Sequence, residues 1–394
     1  MKQPILFIII TVAVICGTQE QRNARVIDST SSYTNNNLVE DSLIDNELIV
    51  SFVVFRHGDR TPDPAELALF PAWHIDDKVF FPHGKQSLTT KGRHRAFALG
   101  EYLRQRYNDT ISELYLQEEI SVRTTDYART KMTALSVLAA LYMPQPSQRW
   151  HPDINWQPVP YSTVPSKDDD LLYFDTCSLY KTLRERIYDI PTIHDTIDSY
   201  RDLFKTLSVE TGRNITTPEE VFFLDNLFQA MENVGVAAPK WVEHVMPQIK
   251  NMTKIDYYSQ YYNAELTRLT SGVLLADILN ITKSAIAGNT DVAKLYLYSA
   301  HEHNVAALLA ALRVWVPHQP KYASAAFLEL RRNLDTGKYV VMAVYAPEAG
   351  GPGIVLPIEE CGGQPTCDYD KFISLSQELL LSRQDFKNIC STVS

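Results

Sequence analysis

Cysteine and positive charge are both scarce in this chain. Five of the 394 residues are cysteine, and none forms a Cys-x-x-Cys pair or stands beside a histidine, so a structural zinc site is not indicated. The formal net charge is −10, which argues against nucleic acid as a partner. An anionic substrate would therefore need a locally positive pocket, because the overall field repels it.

Long apolar runs are scarce as well. One run, Ile5 to Ile15, follows Met1-Lys2 and leads into small residues around Gly17. This pattern predicts a secretory signal peptide over residues 1–18, since the run is shorter than the roughly 20 residues that a membrane-spanning helix needs. No later segment reads as a membrane span. We therefore expect a secreted, extracellular protein rather than a lysosomal one, without stable insertion into a membrane.

The rest of the chain has the composition of a secreted globular protein. Residues 19–46 are rich in Asn, Ser, Thr and acidic side chains and predict a flexible extension. The remainder, about 350 residues, is long enough for one large core or two. Four cysteines follow the signal peptide and predict two disulfides with three alternative pairings, and four Asn-x-Ser/Thr sequons predict N-glycosylation. The cysteines are Cys177, Cys361, Cys367 and Cys390, and the sequon asparagines are Asn108, Asn214, Asn251 and Asn280.

The most informative stretch is a predicted strand that breaks into a charged turn. The apolar run Leu48 to Phe55 predicts a buried strand, and ligands of open α/β sheets bind just beyond the carboxyl ends of strands. In the turn, Arg56 and Arg60 offer planar guanidinium groups that suit phosphate or carboxylate. His57 stands between them, and Gly58 allows a close backbone approach because it lacks a Cβ atom. The turn is therefore a candidate anion site.

A second strand-turn-helix unit lies near the other end of the chain. The run Ala293 to Ser299 predicts a strand that leads into His301-Glu302-His303, and Asn304 opens an apolar helix over residues 305–314. Two histidine-bearing turns at strand ends can meet in one pocket, where helix N-termini favour an anion. A third predicted strand, residues 120–123, ends at Arg123 and is followed by a helix through Leu141.

The order of these elements predicts an α/β fold. We expect a mixed, mostly parallel central sheet flanked by helices, with a catalytic α/β domain over residues 47–160 and 267–394. Thr89 or Thr90 caps a predicted helix that runs to about Tyr107, and residues 325–330 and 339–345 predict two short strands. Residues 161–266 are amphipathic and lack convincing central strands, so we expect a smaller helical cap that covers the site and influences substrate choice.

Several separated motifs resemble those of the histidine acid phosphatases, the family of the prostatic, lysosomal and insect venom acid phosphatases. The turn Arg56-His57-Gly58-Asp59-Arg60-Thr61-Pro62 matches the family signature. The other blocks, in the same order, are Leu88 to Gly92, Leu99 to Arg104, Val122 to Asp126, Trp156 to Pro158, Val273 to Leu275 and Tyr298 to His301.

The resemblance implies a reaction and roles for particular residues. His57 would be the nucleophile that forms a phosphohistidine, and Arg56, Arg60, Arg123 and His301 would hold the phosphoryl oxygens. Where the family usually has His-Asp this chain has His301-Glu302, so Glu302 becomes the expected proton donor, with His303 as a substitute. Such a donor is expected to be protonated, which implies an acidic optimum. The resemblance also implies small phosphomonoester substrates, no cofactor, a homodimer, and the pairings Cys177–Cys390 and Cys361–Cys367.

Three alternatives remain open at this point. Histidines two positions apart can chelate a metal, so His301-Glu302-His303 is a weak metal candidate, although no third separated ligand accompanies it. A secreted phosphate- or lipid-binding protein with little turnover is the main rival, supported by the change from Asp to Glu. A phosphoryl mutase shares an Arg-His-Gly motif, but the signal peptide and the sequons argue against that cytosolic role.

Overall fold

A computed structural model describes residues 46–391 of the chain. The predicted signal peptide lies outside the described residues, as does the predicted extension except for Asn46, which is the first residue of a strand.

A single eight-stranded sheet forms the centre of the molecule and confirms the predicted α/β class. The strand order is β3-β2-β4-β1-β5-β6-β7, with β8 beside β6. The neighbouring strands β3, β2, β4 and β1 run parallel to one another. The pairs β1–β5, β5–β6, β6–β7 and β6–β8 are antiparallel. The strands are β1 (Asn46–Arg56), β2 (Ile120–Thr124), β3 (Ser162–Thr163), β4 (Leu295–Ala300), β5 (Ala325–Asn333), β6 (Tyr339–Ala346), β7 (Ile354–Val355) and β8 (Cys367–Asp368).

Twelve α-helices surround the sheet in the described part of the chain. They are α1 (Pro64–Leu67), α2 (Thr90–Arg106), α3 (Ala128–Leu141), α4 (Ser178–Ile187), α5 (Pro191–Asp198), α6 (Arg201–Thr211), α7 (Pro218–Glu232), α8 (Lys240–Gln260), α9 (Ala264–Ile286), α10 (Glu302–Ala311), α11 (Tyr369–Ser376) and α12 (Arg383–Ser391).

Local sequence signals explain where these helices begin. Thr89 caps α2, since its side chain accepts a hydrogen bond from the Gly92 backbone N–H at 3.0 Å. At α10 the predicted start was wrong by three residues, because His301 is the N-cap and Glu302 the first helical residue. The predicted opener Asn304 instead accepts a hydrogen bond from the His301 backbone N–H at 3.1 Å. This cap brings Glu302 into the first turn, next to the strand end.

The alternation of side chains along β1 divides the core into two parts. Phe52 and Val54 belong to one apolar cluster, which also contains the helices of residues 178–286, and Val53 and Phe55 belong to the other, against α2 and α3. The segment predicted as a cap holds five helices, α4 to α8, and contributes the edge strand β3. Its apolar residues are continuous with one face of the sheet, so it shares a core with the strands that carry the site.

One helix has the length and composition of a membrane span, contrary to the sequence-based expectation. Helix α9 has 23 residues and a mean hydropathy of 1.2 in its most apolar window, and 56% of that window is buried inside the protein. Apolar helices in the cores of water-soluble proteins meet the same criterion. Leu266 and Leu275 are completely buried, and the helix packs against α10.

Both disulfides expected from the resemblance are present. Cys177 is bonded to Cys390, and Cys361 to Cys367. The first bond joins the start of α4 to the C-terminal helix α12.

Candidate active site

Neighbouring strands bring the two histidine-bearing turns together. In the parallel ladder Arg56 lies opposite Ala300, so the next residues, His57 and His301, leave the sheet side by side. The His57 backbone N–H donates to the Ala300 carbonyl at 3.0 Å. The centroids of the two imidazole rings are 5.5 Å apart, and the rings are nearly perpendicular. The expectation that these two turns share one site is therefore met by the geometry.

His57 is held in one tautomer with its other nitrogen free. Its side chain is almost completely buried, and its Nδ1 lies 2.8 Å from the carbonyl oxygen of Gly58. A carbonyl only accepts hydrogen bonds, so Nδ1 carries the proton and Nε2 of the neutral ring keeps its lone pair. Burial lowers the pKa of His57 well below 6.5, and the charges of Arg129 and Arg56 lower it further. The ring is thus neutral and nucleophilic in mildly acidic solution.

A close contact between two glycines fixes the turn that follows His57. A Cβ atom on Gly58 would lie 2.3 Å from the carbonyl oxygen of Gly92, and one on Gly92 would lie 2.2 Å from the carbonyl oxygen of Asp59. The close approach expected of Gly58 is therefore made to helix α2. Asp59 is almost completely buried, and Arg95 of the same helix donates to its carboxylate at 2.6 Å.

Arg60 is buried and is paired mainly with Glu66, while a second carboxylate, that of Asp63, lies 3.7 Å from its Nη1. Its Nη1 and Nη2 donate to the two oxygens of Glu66 at 2.8 and 2.5 Å. Burial alone would lower the pKa of Arg60, but Glu66 outweighs burial and raises it, so the guanidinium stays charged. Its Nε has no hydrogen-bond partner in the structure. Arg60 therefore presents one unused donor in a rigid frame.

Arg56 is used to hold Glu302. Its Nη2 donates to Oε1 of Glu302 at 3.1 Å, and its Nε lies 3.0 Å from Oε2. Its Nη1 donates to the carbonyl oxygen of Pro320 at 2.7 Å, and the guanidinium lies 4.0 Å from the ring centroid of Tyr322. Arg56 thus forms a two-point ion pair that sets the position of the carboxylate beside His57.

Glu302 is ionised in the free protein, contrary to the expectation that a proton donor at this position stays protonated. The residue is 4% exposed, and burial alone would raise its pKa. The guanidinium of Arg56 is the largest opposing effect, and it holds the pKa of Glu302 well below its usual range. The carboxylate therefore takes up a proton only after a further negative charge arrives in the site.

His301 is buried beside the same carboxylate and is also neutral. Its Nε2 lies 3.0 Å from Oγ1 of Thr125, which follows β2. Burial lowers the pKa of His301 well below 6.5, and the nearby Arg129 lowers it further. His301 can therefore contribute a hydrogen-bonding ring nitrogen, rather than a fixed positive charge, to a bound group.

Arg123 lies in β2 and Arg129 lies in the following helix, α3. The surroundings of the two arginines differ. Arg123, the sequence-predicted ligand, donates from Nη2 to Asp169 at 2.6 Å, and Asp169 also accepts backbone N–H groups of the following turn. Arg129, which the sequence-based prediction missed, is 7% exposed and leaves Nε and Nη1 without hydrogen-bond partners. Its nearest carboxylate oxygen, on Asp63, is 3.7 Å away. The buried, poorly compensated cation beside His57 is therefore Arg129.

A signal for Arg129 does exist in the sequence. It is the second residue of α3, and cations are disfavoured in the first turn of a helix because the helix dipole is positive there. Burial makes the position costlier still: it lowers the pKa of Arg129, and Arg60 lowers it as well, although Asp63 opposes them. A cation in such a place is stabilised by a bound anion.

The site residues also satisfy the distance criterion for a metal ion, but their surroundings do not suit one. His57, His301 and Glu302 each place a ligand atom within 4.8 Å of the others. However, Arg56 already engages both oxygens of Glu302, and Arg129 adds a second buried cation. A divalent cation would have to compete with both. His303, part of the sequence-predicted chelate, is not in this group.

Taken together, the groups around His57 suit a tetrahedral anion rather than a cation. Arg60 and Arg129 carry unused donors, the neutral imidazole of His57 has a free Nε2, and the carboxylate of Glu302 lies within 4.8 Å of that ring. Such a set can bind an oxyanion, attack its central atom and exchange a proton with a departing group.

Comparison with known proteins agrees with this chemistry. The model of the histidine phosphatase superfamily, branch 2, matches residues 47–346. The venom acid phosphatase of Apis mellifera is 31% identical over 84% of this chain and 85% of its own length. The prostatic acid phosphatase of Bos taurus is 33% identical over 88% of each chain, and the lysosomal acid phosphatase of Xenopus laevis is 30% identical over 88% of this chain and 80% of its own.

Solved structures with low sequence identity share the fold. The apo phytase of Hafnia alvei superposes with a TM-score of 0.61 at 14% identity, covering 86% of this chain and 98% of its own. The phytase of Citrobacter braakii gives 0.61 at 16% identity, covering 88% and 100%.

Proposed function

Because this chain belongs to branch 2 of the histidine phosphatase superfamily, we propose that it is an acid phosphatase that hydrolyses small phosphate monoesters. The observation that carries the proposal is the buried guanidinium of Arg129, which has two unused donors and whose charge lowers the pKa of the nearby His57. A phosphoryl group supplies the negative charge that this cation lacks.

The proposed reaction has two displacements at phosphorus. Nε2 of His57 attacks the phosphorus atom as the bond to the leaving alkoxide oxygen breaks, and Glu302 gives that oxygen a proton. Water then attacks the phosphohistidine, Glu302 takes the proton from the water, and phosphate leaves as His57 is restored. The bound phosphoryl group raises the pKa of the neighbouring Glu302. The carboxyl group is therefore protonated in the complex with substrate and ionised in the free enzyme.

The phosphoryl oxygens would be held mainly by Arg129, Arg60 and His301. We assign to Arg129 the role that the family resemblance gave to Arg123, because Arg123 is already paired with Asp169. Arg56 would support the transition state through Glu302, which it orients. These donors are preorganised by their buried contacts, so little rearrangement accompanies the build-up of charge.

The test is turnover of a chromogenic phosphomonoester at pH 5 by the wild type and by His57→Ala. We expect turnover by the wild type, no measurable turnover by the variant, and residual phosphate binding by the variant because several donors remain. Rapid quenching without acid should trap labelled phosphate on the wild type only. Near-normal activity of His57→Ala would remove His57 from the role of nucleophile. An inactive wild type that still binds phosphate would support the phosphate- or lipid-binding protein instead.

Addition of EDTA separates this mechanism from one that uses a metal. We expect the rate to be unchanged and inorganic phosphate to inhibit competitively, because arginines provide the positive charge. Loss of activity with EDTA and recovery with Zn²⁺ or Mg²⁺ would assign His57, His301 and Glu302 to a metal site.

The proposal includes secretion, glycosylation and a homodimer. The four sequon asparagines are all exposed, and two disulfides join the described cysteines, as suits an oxidising compartment. Expression in insect cells should deliver the protein to the medium, and glycosidase treatment should lower its mass. Light scattering on the deglycosylated protein should give twice the mass of one chain. Retention in the cells or a monomeric mass would contradict the corresponding part.

A further inference from the structure

A cavity lies beside the turn that follows His57. Its volume is about 380 Å³, which is ample for a phosphate group together with several water molecules. Its walls are the first turns of α2, the end of α7, the middle of α8 and residues 318–322. His57, Arg60, Arg129, His301 and Glu302 do not line it, but it adjoins their site through Tyr322, whose ring centroid lies 5.8 Å from that of His57.

The wall of this cavity is rich in cations although the chain as a whole is acidic. Two acidic residues, Asp59 and Glu232, line it, against five cationic ones. The cationic residues are Lys91, Arg95, Lys250, Lys254 and Lys321. In a chain with a net charge of −10, such a concentration of positive charge in a concave surface attracts anions locally.

Internal ion pairs take up part of this charge and leave Lys254 unpaired among the described residues. Lys91 and Arg95 share one carboxylate, that of Asp59. Lys250 pairs with Asp225 at 2.6 Å, and Lys321 pairs with Glu348, neither of which lines the cavity. Lys254 forms no ion pair with any residue between 46 and 391.

Neutral hydrogen-bonding groups complete the wall. They are the amides of Gln229, Asn233 and Gln319 and the hydroxyl of Thr253. We propose that the cavity binds a phosphate-type oxyanion, either as free phosphate or as the second phosphate group of a doubly phosphorylated substrate. Ammonium and guanidinium donors, with amides beside them, form charge-assisted hydrogen bonds with such a group.

The walls are also in contact with the groups that hold the catalytic carboxylate. Tyr322 lies against the guanidinium of Arg56, and Gln319 donates to Oδ1 of Asn226 at 2.7 Å. Nδ2 of Asn226 lies 3.5 Å from Oε1 of Glu302. The wall of the cavity is therefore in contact with residues that position Arg56 and Glu302.

The experiment compares the wild type with the double variant Lys91→Ala/Lys254→Ala. Both side chains are exposed, so the fold is retained. The matched control is Lys205→Ala/Lys371→Ala, which removes two exposed lysines elsewhere on the surface. Calorimetric titration with inorganic phosphate should give two sites per chain for the wild type and the control, and one for the double variant. A single site in all three proteins overturns the proposal.

A second measurement identifies the source of the oxyanion. The substrates are an alkanediol monophosphate and the corresponding bisphosphate. If the second phosphate of the substrate occupies the cavity, the double variant raises KM about tenfold for the bisphosphate only, as expected for the loss of hydrogen bonds to a charged group. If free phosphate is the ligand, both KM values stay unchanged while the calorimetric site is lost. Unchanged KM values together with two remaining sites in the double variant contradict both forms of the proposal.

Discussion

Arg123 and Arg129 are close in sequence, but Arg123 is paired with Asp169 at 2.6 Å, whereas the nearest carboxylate oxygen to Arg129 is 3.7 Å away. Arg129→Ala should lower kcat/KM for a phosphomonoester by about 10²–10³, the usual effect of removing one preorganised donor to a developing charge. Arg123→Ala leaves Asp169 without its cation, so it should mainly lower the free energy of unfolding, by about 3 kcal/mol. Steady-state kinetics and urea denaturation of both variants check these outcomes.

The reverse pattern would restore the assignment made from the family resemblance. If Arg123→Ala loses catalysis at unchanged stability while Arg129→Ala remains active, Arg123 must reach the phosphoryl group in the complex by leaving Asp169.

Glu302 offers a test that depends on the leaving group. Glu302→Gln removes general-acid help, worth roughly 10²–10⁴ in rate, and the loss should be largest for an alkyl phosphate because the alkoxide is strongly basic. A nitrophenyl phosphate leaves as a weakly basic phenolate and should lose much less. Glu302→Asp, which keeps a carboxyl group, is the matched control and should retain more activity. The measurement is kcat/KM for both substrates between pH 4 and pH 7.

Equal losses on the two substrates would remove Glu302 from the role of acid. His303 would then be the next donor to test, since its ring stacks on that of His301 at a centroid distance of 5.8 Å.

At the level of elements, the packing of α2 against the catalytic turn determines where His57 lies. The Cβ atom introduced by Gly92→Ala would meet the carbonyl oxygen of Asp59 at 2.2 Å, so the turn must move. We expect a loss of about 1–3 kcal/mol in stability and a fall in kcat of about 10²-fold, because small displacements of a nucleophile are costly. Thermal unfolding and single-turnover kinetics measure the two effects.

Gly337→Ala is the control for this prediction. Gly337 has a φ of +69° and no atom within 4 Å of an added Cβ, so the variant should lose about 1–2 kcal/mol from backbone strain alone and keep its kcat. Normal kcat in Gly92→Ala would show that the turn keeps its position without this contact.

The strands and helices that carry the site could be predicted well because short stretches of their own sequence determine where they form. The run before Arg56 alternates between two buried faces, and Thr89 caps a helix as its side chain predicts. Arg129 could not be chosen over Arg123 in the same way, because the choice depends on Asp169, which lies in a distant turn and neutralises Arg123. The ionised state of Glu302 was missed for a similar reason: its two-point contact with Arg56 exists only after two strands pair.

For the whole molecule, acid stability should depend on buried carboxylates such as Glu329. This residue is completely buried and contacts Arg106 at 2.8 Å and Arg331 at 2.7 Å. Burial opposes its ionisation, but the two arginines lower the pKa of Glu329 from 4.5 to about 2. Because the folded pKa lies below the unfolded one, the stabilisation is complete above pH 4.5 and is lost as the pH falls toward 2.

Glu329→Gln should therefore lower the free energy of unfolding by about 3 kcal/mol at pH 7. The difference from the wild type should narrow steadily below pH 4.5. Urea denaturation of both proteins at pH 7, 4 and 3 measures it. A difference that stays constant over this range would mean that packing, rather than charge, accounts for the loss.

The bond between Cys177 and Cys390 closes a loop with a sequence separation of 213 residues. That loop contains all of α4 to α11, including both α10 and the exposed turn around Gly235 between α7 and α8. Exposed turns are the sites where proteases cut folded proteins. A single cut at Gly235 would create two new chain ends, yet both pieces would remain covalently joined. After that single cut, the piece that carries Glu302 is released only when the disulfide is reduced, and the intact mass would persist on a non-reducing gel.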